Sequence, residues 1–161
     1  VDYYSNGKPK SYAPDFQVVR HTKNQIIEVK PKKKVESDEY RHLYQILSDF
    51  YEETAWALIV LTESEVQREP LLSNIKLLYR YARENFSINE YRDCLEVVRS
   101  QAPASLTEIG QALDDLQIRR NVLFKLLFHR LVEIDLKQAI NAASKISAVS
   151  EKIDWRILFN G

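Results

Sequence analysis

Two carboxylates and an amine in the first thirty residues have the types and spacing to do chemistry. Asp15 follows a proline in Pro14-Asp15-Phe16, and Glu28 and Lys30 lie in Ile26-Ile27-Glu28-Val29-Lys30. Side chains alternate along a strand, so Glu28 and Lys30 are expected on one face, about 6 to 7 Å apart, with Ile27 and Val29 on the other. Cross-strand pairing can bring Asp15 beside Glu28. Two converging carboxylates repel unless a cation lies between them, and hard oxygen ligands suit Mg²⁺ or Mn²⁺. Such a site fits phosphodiester hydrolysis: the metal activates water and neutralises developing charge, while Lys30 positions the nucleophile or stabilises that charge. An acid-x-Lys triplet alone is common by chance, and its bland alternative is a hairpin whose Glu28 and Lys30 face solvent. Lys30, at an exposed strand end, is expected to matter more to rate than to folding.

The elements that must position these residues are legible as changes of period. Residues 1 to 30 read as a small antiparallel sheet: a strand over 1–5, a tight turn at Asn6-Gly7, a strand over 11–19, a polar turn over Arg20 to Asn24, and a strand over 25–30. Tyr40, Leu43, Tyr44, Leu47, Phe50 and Tyr51 then fall on one stripe of an amphipathic helix, with Ser37 as its expected cap. Trp56 to Leu61 is a continuous apolar run, as expected for a strand covered on both faces. Leu72, Ile75, Leu78, Tyr79 and Ala82 mark another helix. A boundary is placed at 85/86, where Ser87/Glu90 and then Ser105/Glu108 form capping boxes for two helices. A third helix, over about 117–131, leads into alternating Leu131 to Leu136, with 145–149 as a partner strand. Three helices followed by strands is the order of a winged-helix domain.

Tyr12-Ala13-Pro14-Asp15-Phe16 followed by Ile26-Ile27-Glu28-Val29-Lys30-Pro31 resembles the catalytic hairpin of the TnsA family, endonuclease subunits of heteromeric cut-and-paste transposases within the PD-(D/E)xK nucleases. The resemblance implies an α/β fold. Residues 1–85 would form a restriction-endonuclease-like mixed sheet with flanking helices, and residues 86–161 a mainly helical, winged-helix-like domain for docking DNA or protein. It further implies Asp15 and Glu28 as metal ligands for Mg²⁺ or Mn²⁺, Lys30 as the catalytic lysine, and cleavage of the 5′ ends of a transposon. Its implied partners are transposon-end DNA, the DNA-joining transposase subunit TnsB and the ATPase regulator TnsC, in the bacterial cytoplasm at the nucleoid. In that family a further catalytic Glu lies on a helix ahead of the hairpin. The chain opens within strand-like sequence, so residues 1–161 alone are expected to be nearly inactive until an upstream segment supplies that acid.

Equal Lys+Arg and Asp+Glu totals of 23 each say little against a polyanionic partner, because a local basic face is what counts, with a solvated surface as the bland alternative. Residues 1–34 hold eight basic side chains against three acidic, and residues 35–69 two against nine. Lys32, Lys33 and Lys34, directly after the candidate site, could meet flanking phosphates or simply form a solvated loop, and Arg119 and Arg120 could contact DNA backbone at the start of the third helix. The nearby Asp114 and Asp115 weaken that second reading and favour protein docking. His21, His42 and His129 lack ligand spacing, so a zinc site is not expected. Cys94 is the single cysteine and reads as an inert thiol. No run of 20 apolar residues appears, which points to a cytoplasmic setting. The competing functions are a non-cleaving binding module of a DNA-processing complex and another nuclease of the same broad fold.

Overall fold

Gly7 sits at φ 71, the left-handed region a tight hairpin turn requires, between β1 (Asp2–Ser5) and β2 (Lys8–Ser11). These two strands form an antiparallel sheet of their own. The second sheet joins β3 (Phe16–Val18), β4 (Asn24–Val29) and β5 (Trp56–Leu61) in the order β3-β4-β5, antiparallel then parallel. The computed structural model describes residues 1–5, 7–19 and 24–149. The expected turn over Arg20 to Asn24 therefore lies, but for Asn24, outside the described residues. The single antiparallel sheet expected from the sequence is in fact two sheets, and β4 gains a parallel partner from beyond α2.

That parallel pairing needs a crossover, supplied by α1 (Lys32–Val35) and α2 (Asp38–Glu52). The α2 stripe is covered in part: Leu47 and Tyr51 are buried and pack with Tyr12 and Ile26, flanked by Leu43, Tyr44 and Leu58, whereas Phe50, expected on the same stripe, is exposed. Asp38 and Glu39 occupy its first turn, at the positive end of the helix dipole. Ser37 holds the N-cap position without side-chain capping; its hydroxyl donates to the Lys34 carbonyl at 2.8 Å. Register puts Ile26, Glu28, Leu58 and Val60 on the face toward α2 and Phe16, Ile27, Val29, Ile59 and Leu61 on the other. The latter five belong to neither apolar core, and β5 is half-buried along its length rather than covered on both faces. α3 (Glu63–Val66) follows β5 and opens with a Thr62/Glu65 capping box.

The chain is mixed α/β and divides into two compact units between Arg68 and Glu69, not at 85/86. The reason is α4 (Leu71–Tyr79): Leu78 is buried in the second core, and Asn74 bonds to residues 136–140. The second unit continues through α5 (Ile88–Gln101), β6 (Ala104–Ser105), α6 (Leu106–Asp115), α7 (Arg120–Phe128), β7 (Val132–Ile134) and β8 (Lys145–Ala148). Both expected capping boxes are present, Ser87 with Glu90 and Ser105 with Glu108. The strands pair antiparallel in the order β6-β8-β7. Arg130, at φ 58, stops α7 short of the expected 131 and separates it from β7. No helix among the described residues is long and apolar enough to cross a membrane.

Candidate active site

The antiparallel register of β3 and β4 pairs Phe16 with Ile27, and extending it by one residue sets Asp15 opposite Glu28. Asp15 is held there by the main chain: the Val29 N–H donates to its Oδ2 at 2.8 Å. Lys30 lies just past the end of β4, with its own N–H donating to the Leu61 carbonyl at 3.0 Å, and its side chain turns back over the acids. Its Nζ is 2.7 Å from Glu28 Oε1 and 3.5 Å from Asp15 Oδ2. One amine thus joins two carboxylates, one from β4 and one from the residue just before β3, at the carboxyl ends of the parallel pair β4–β5, where open α/β sheets commonly place ligands.

Burial separates the three groups. Glu28 is 2% exposed, on the face toward α2, so the solvent-facing alternative fails for this residue. Its Oε2 accepts from the buried Tyr12 hydroxyl at 2.8 Å. Asp15 is more open, and its carboxyl lies below the ordinary range because the Val29 N–H, then the Lys30 amine, favour the ionised form. Lys30 is held protonated above its usual range, chiefly by its bond to Glu28. Its side chain is only 26% exposed, which corrects the expectation of a lysine at an exposed strand end. Burial, then the bond to Glu28, raises the Tyr12 hydroxyl well beyond its ordinary range. Tyr44 is pushed up to about 12 by burial, then by the Glu28 charge.

Comparison with known proteins finds no match. No family model, curated protein or solved structure is similar to this chain.

The donor set suits a hard divalent cation. Mg²⁺ demands octahedral oxygen coordination but commonly takes only one or two carboxylates, completing its shell with waters and substrate phosphate. Asp15 and Glu28 supply that number. Among the described residues no group of three or more His, Cys, Asp or Glu gathers.

The remaining candidates are placed as follows. Lys32, Lys33 and Lys34 form α1 rather than a loop and are exposed directly after the site. The Lys32 N–H donates to Glu63 Oε2 at 2.8 Å, and Lys34 Nζ lies 5.6 Å from the Tyr40 ring centre. In the second unit, Arg119 donates from Nε to Glu90 at 2.8 Å and covers the Phe86 ring. Arg120 forms a two-bond pair with Asp114, its Nε at 2.8 Å. Both arginines thus already hold carboxylates. Along α7, exposed Asn121 bonds Glu84, Phe124 stacks on Tyr81 at 4.7 Å, buried Lys125 donates from Nζ to the Glu84 carbonyl at 2.7 Å, and Phe128 meets Tyr79. A cleft of about 620 Å³ in this unit runs beside β7, floored by Leu127, Val132 and Leu136. Cys94 is buried, and burial pushes its thiol up to about 12. His42 is exposed, His129 is half-buried, and His21 lies outside the described residues.

Tyr12 and Tyr44 were missed by sequence reasoning. Tyr44 appeared only as one apolar member of the α2 stripe, and Tyr12 as part of the motif carrying the resemblance. The available signal was the hydroxyl itself: a buried tyrosine ordinarily finds a polar partner.

Proposed function

We propose that the first unit carries the core of a metal-dependent DNA endonuclease site, in which Asp15 and Glu28 hold Mg²⁺ or Mn²⁺ and Lys30 acts on the phosphodiester. The observation that carries this reading is the single Lys30 amine lying against both carboxylates, one buried and one open. When bound, the metal supplies Lewis-acid activation of water and of a phosphate oxygen. Glu28 orients the amine from below, Asp15 presents an open ligand held in place by Val29, and Lys30 keeps a proton and positive charge beside the reacting phosphate. The exposed lysines of α1 stand where the flanking DNA backbone would pass.

The resemblance to the TnsA family makes the substrate transposon ends, with TnsB and TnsC as partners and a restriction-endonuclease-like sheet as the scaffold. The helix-strand-helix-helix-hairpin order of α5 to β8 supports a winged-helix reading of the second unit. Its role is protein docking rather than groove reading, supported by the contacts that Phe124, Lys125 and Phe128 of α7 already make and by the carboxylates already held by Arg119 and Arg120. One observation favours a non-cleaving binding module instead: both Glu28 oxygens already have partners, as in a purely structural ion pair.

Nicking of supercoiled DNA by the full-length protein with Mg²⁺ or Mn²⁺ separates the two readings. Asp15→Ala and Lys30→Ala should each lower the rate by about a hundredfold or more, the scale of losing one transition-state donor. Metal-dependent nicking unaffected by either substitution contradicts the assignment.

A further inference from the structure

Tyr44 carries a hydroxyl that the fold leaves unanswered. It projects from the α2 stripe into the apolar cluster of Tyr12, Ile26, Leu47 and Tyr51, beneath the strand that bears Glu28. Its ring meets that of Tyr40 at 5.7 Å between centres. Its oxygen is buried and has no hydrogen-bond partner. The neighbouring Tyr12, in the same cluster, resolves the same problem by donating to Glu28 Oε2. Tyr44 packs against the cluster that holds Tyr12, whose own hydroxyl bonds Glu28, so its unpartnered oxygen belongs to the layer beneath that carboxylate. A buried donor without a partner keeps its desolvation cost and gains no bond in return, so such groups normally meet a protein atom or an ordered oxygen.

We propose that Tyr44 is a further residue of the site, its hydroxyl donating to a water oxygen that Glu28 also holds, in the hydration shell of the bound divalent cation. This rests on the metal-dependent reading above. Tyr12 fixes the carboxylate directly, and Tyr44 fixes the water beside it; both come from outside the strands that supply the ligands. Hydrogen-bonded groups just outside the ligands typically alter metal affinity by about 10–100-fold when removed.

Calorimetric titration of Mn²⁺ into the full chain, Tyr44→Phe and Asp15→Asn tests it, alongside the Tm of each protein without metal. The expected result is binding by the parent, about tenfold weaker binding by Tyr44→Phe, and a metal-free Tm for Tyr44→Phe equal to or above that of the parent, since the substitution removes only an unpartnered hydroxyl. Parent-like Mn²⁺ affinity in Tyr44→Phe, with binding lost in Asp15→Asn, overturns the role of Tyr44 and leaves the metal site standing. No saturable Mn²⁺ binding by the parent overturns both. Tyrosine-labelled NMR reads the unsubstituted protein as well: Mg²⁺ should shift the Tyr44 Cζ resonance, and a resonance unmoved at saturating Mg²⁺ overturns the proposal.

Discussion

Replacing Lys30 by methionine keeps the length of the side chain and removes its charge. The Glu28 carboxylate, 2% exposed, then loses the amine 2.7 Å away and keeps only the Tyr12 hydroxyl. Breaking a fully buried ion pair costs about 3–5 kcal/mol, and exposed pairs are worth at most about 1 kcal/mol. The Lys30 side chain is a quarter exposed, which places the expected loss between these limits, at about 2 kcal/mol. Hydrogen exchange at the β4 amides reads the opening of the first unit itself, and about 2 kcal/mol corresponds to roughly 30-fold faster exchange. The double variant Glu28→Gln/Lys30→Met removes both charges and should recover much of the loss, as replacing both partners of a pair does. Exchange within threefold of the parent in Lys30→Met, or a double variant as labile as the single one, refutes the view that this pair is an energetically coupled part of the fold.

Asp15→Asn keeps an oxygen for the Val29 N–H but removes the charge. Because the folded carboxyl is depressed, its contribution is present above the ordinary carboxylate range and fades as pH falls through the folded value. The parent should therefore be more stable than Asp15→Asn at pH 6, with the difference in Tm shrinking below about pH 4; a pH-independent difference contradicts this. Asn74 donates to the Leu136 and Gln138 carbonyls at 2.9 and 2.7 Å and accepts from the Ile140 N–H at 3.1 Å. Asn74→Ala should lower the stability of the second unit by about 2–3 kcal/mol, read by chemical denaturation, because three main-chain groups lose their partner together. The Cys94 thiol, buried and pushed up to about 12, should react with a thiol reagent at pH 8 only under unfolding conditions. Rapid labelling of the native protein would show that α5 opens locally.

The legible parts were those that local chemistry decides. The alternation of Ile26 to Lys30 marked β4, the Ser-x-x-Glu pairs marked the starts of α5 and α6, and the apolar spacing identified Leu43, Tyr44, Leu47 and Tyr51 as the covered face of α2, though not the exposed Phe50. The juxtaposition of Asp15 and Glu28 was foreseeable because antiparallel register needs only one pairing to fix the rest. What failed was long-range. Whether α4 belongs with the first or the second unit depends on Leu78 and Asn74 meeting residues far along the chain, and no periodicity encodes that. The apolar run of β5 suggested cover on both faces, yet run length reports composition rather than what lies above and below. Nor could spacing show that Lys30 bends back onto a buried carboxylate, or that Tyr44 lends its α2 stripe a polar atom.

The central claim is that Asp15 and Glu28 gather one divalent cation beside Lys30. Iron-directed cleavage tests it most directly: Fe²⁺ substitutes for Mg²⁺, and with ascorbate and peroxide it cuts the polypeptide next to wherever it binds. Cuts should fall near residues 14–16 and 27–30, be suppressed by excess Mg²⁺ and vanish in Asp15→Ala. Cuts confined to other segments, or a pattern unchanged by Mg²⁺ and by Asp15→Ala, would contradict the account.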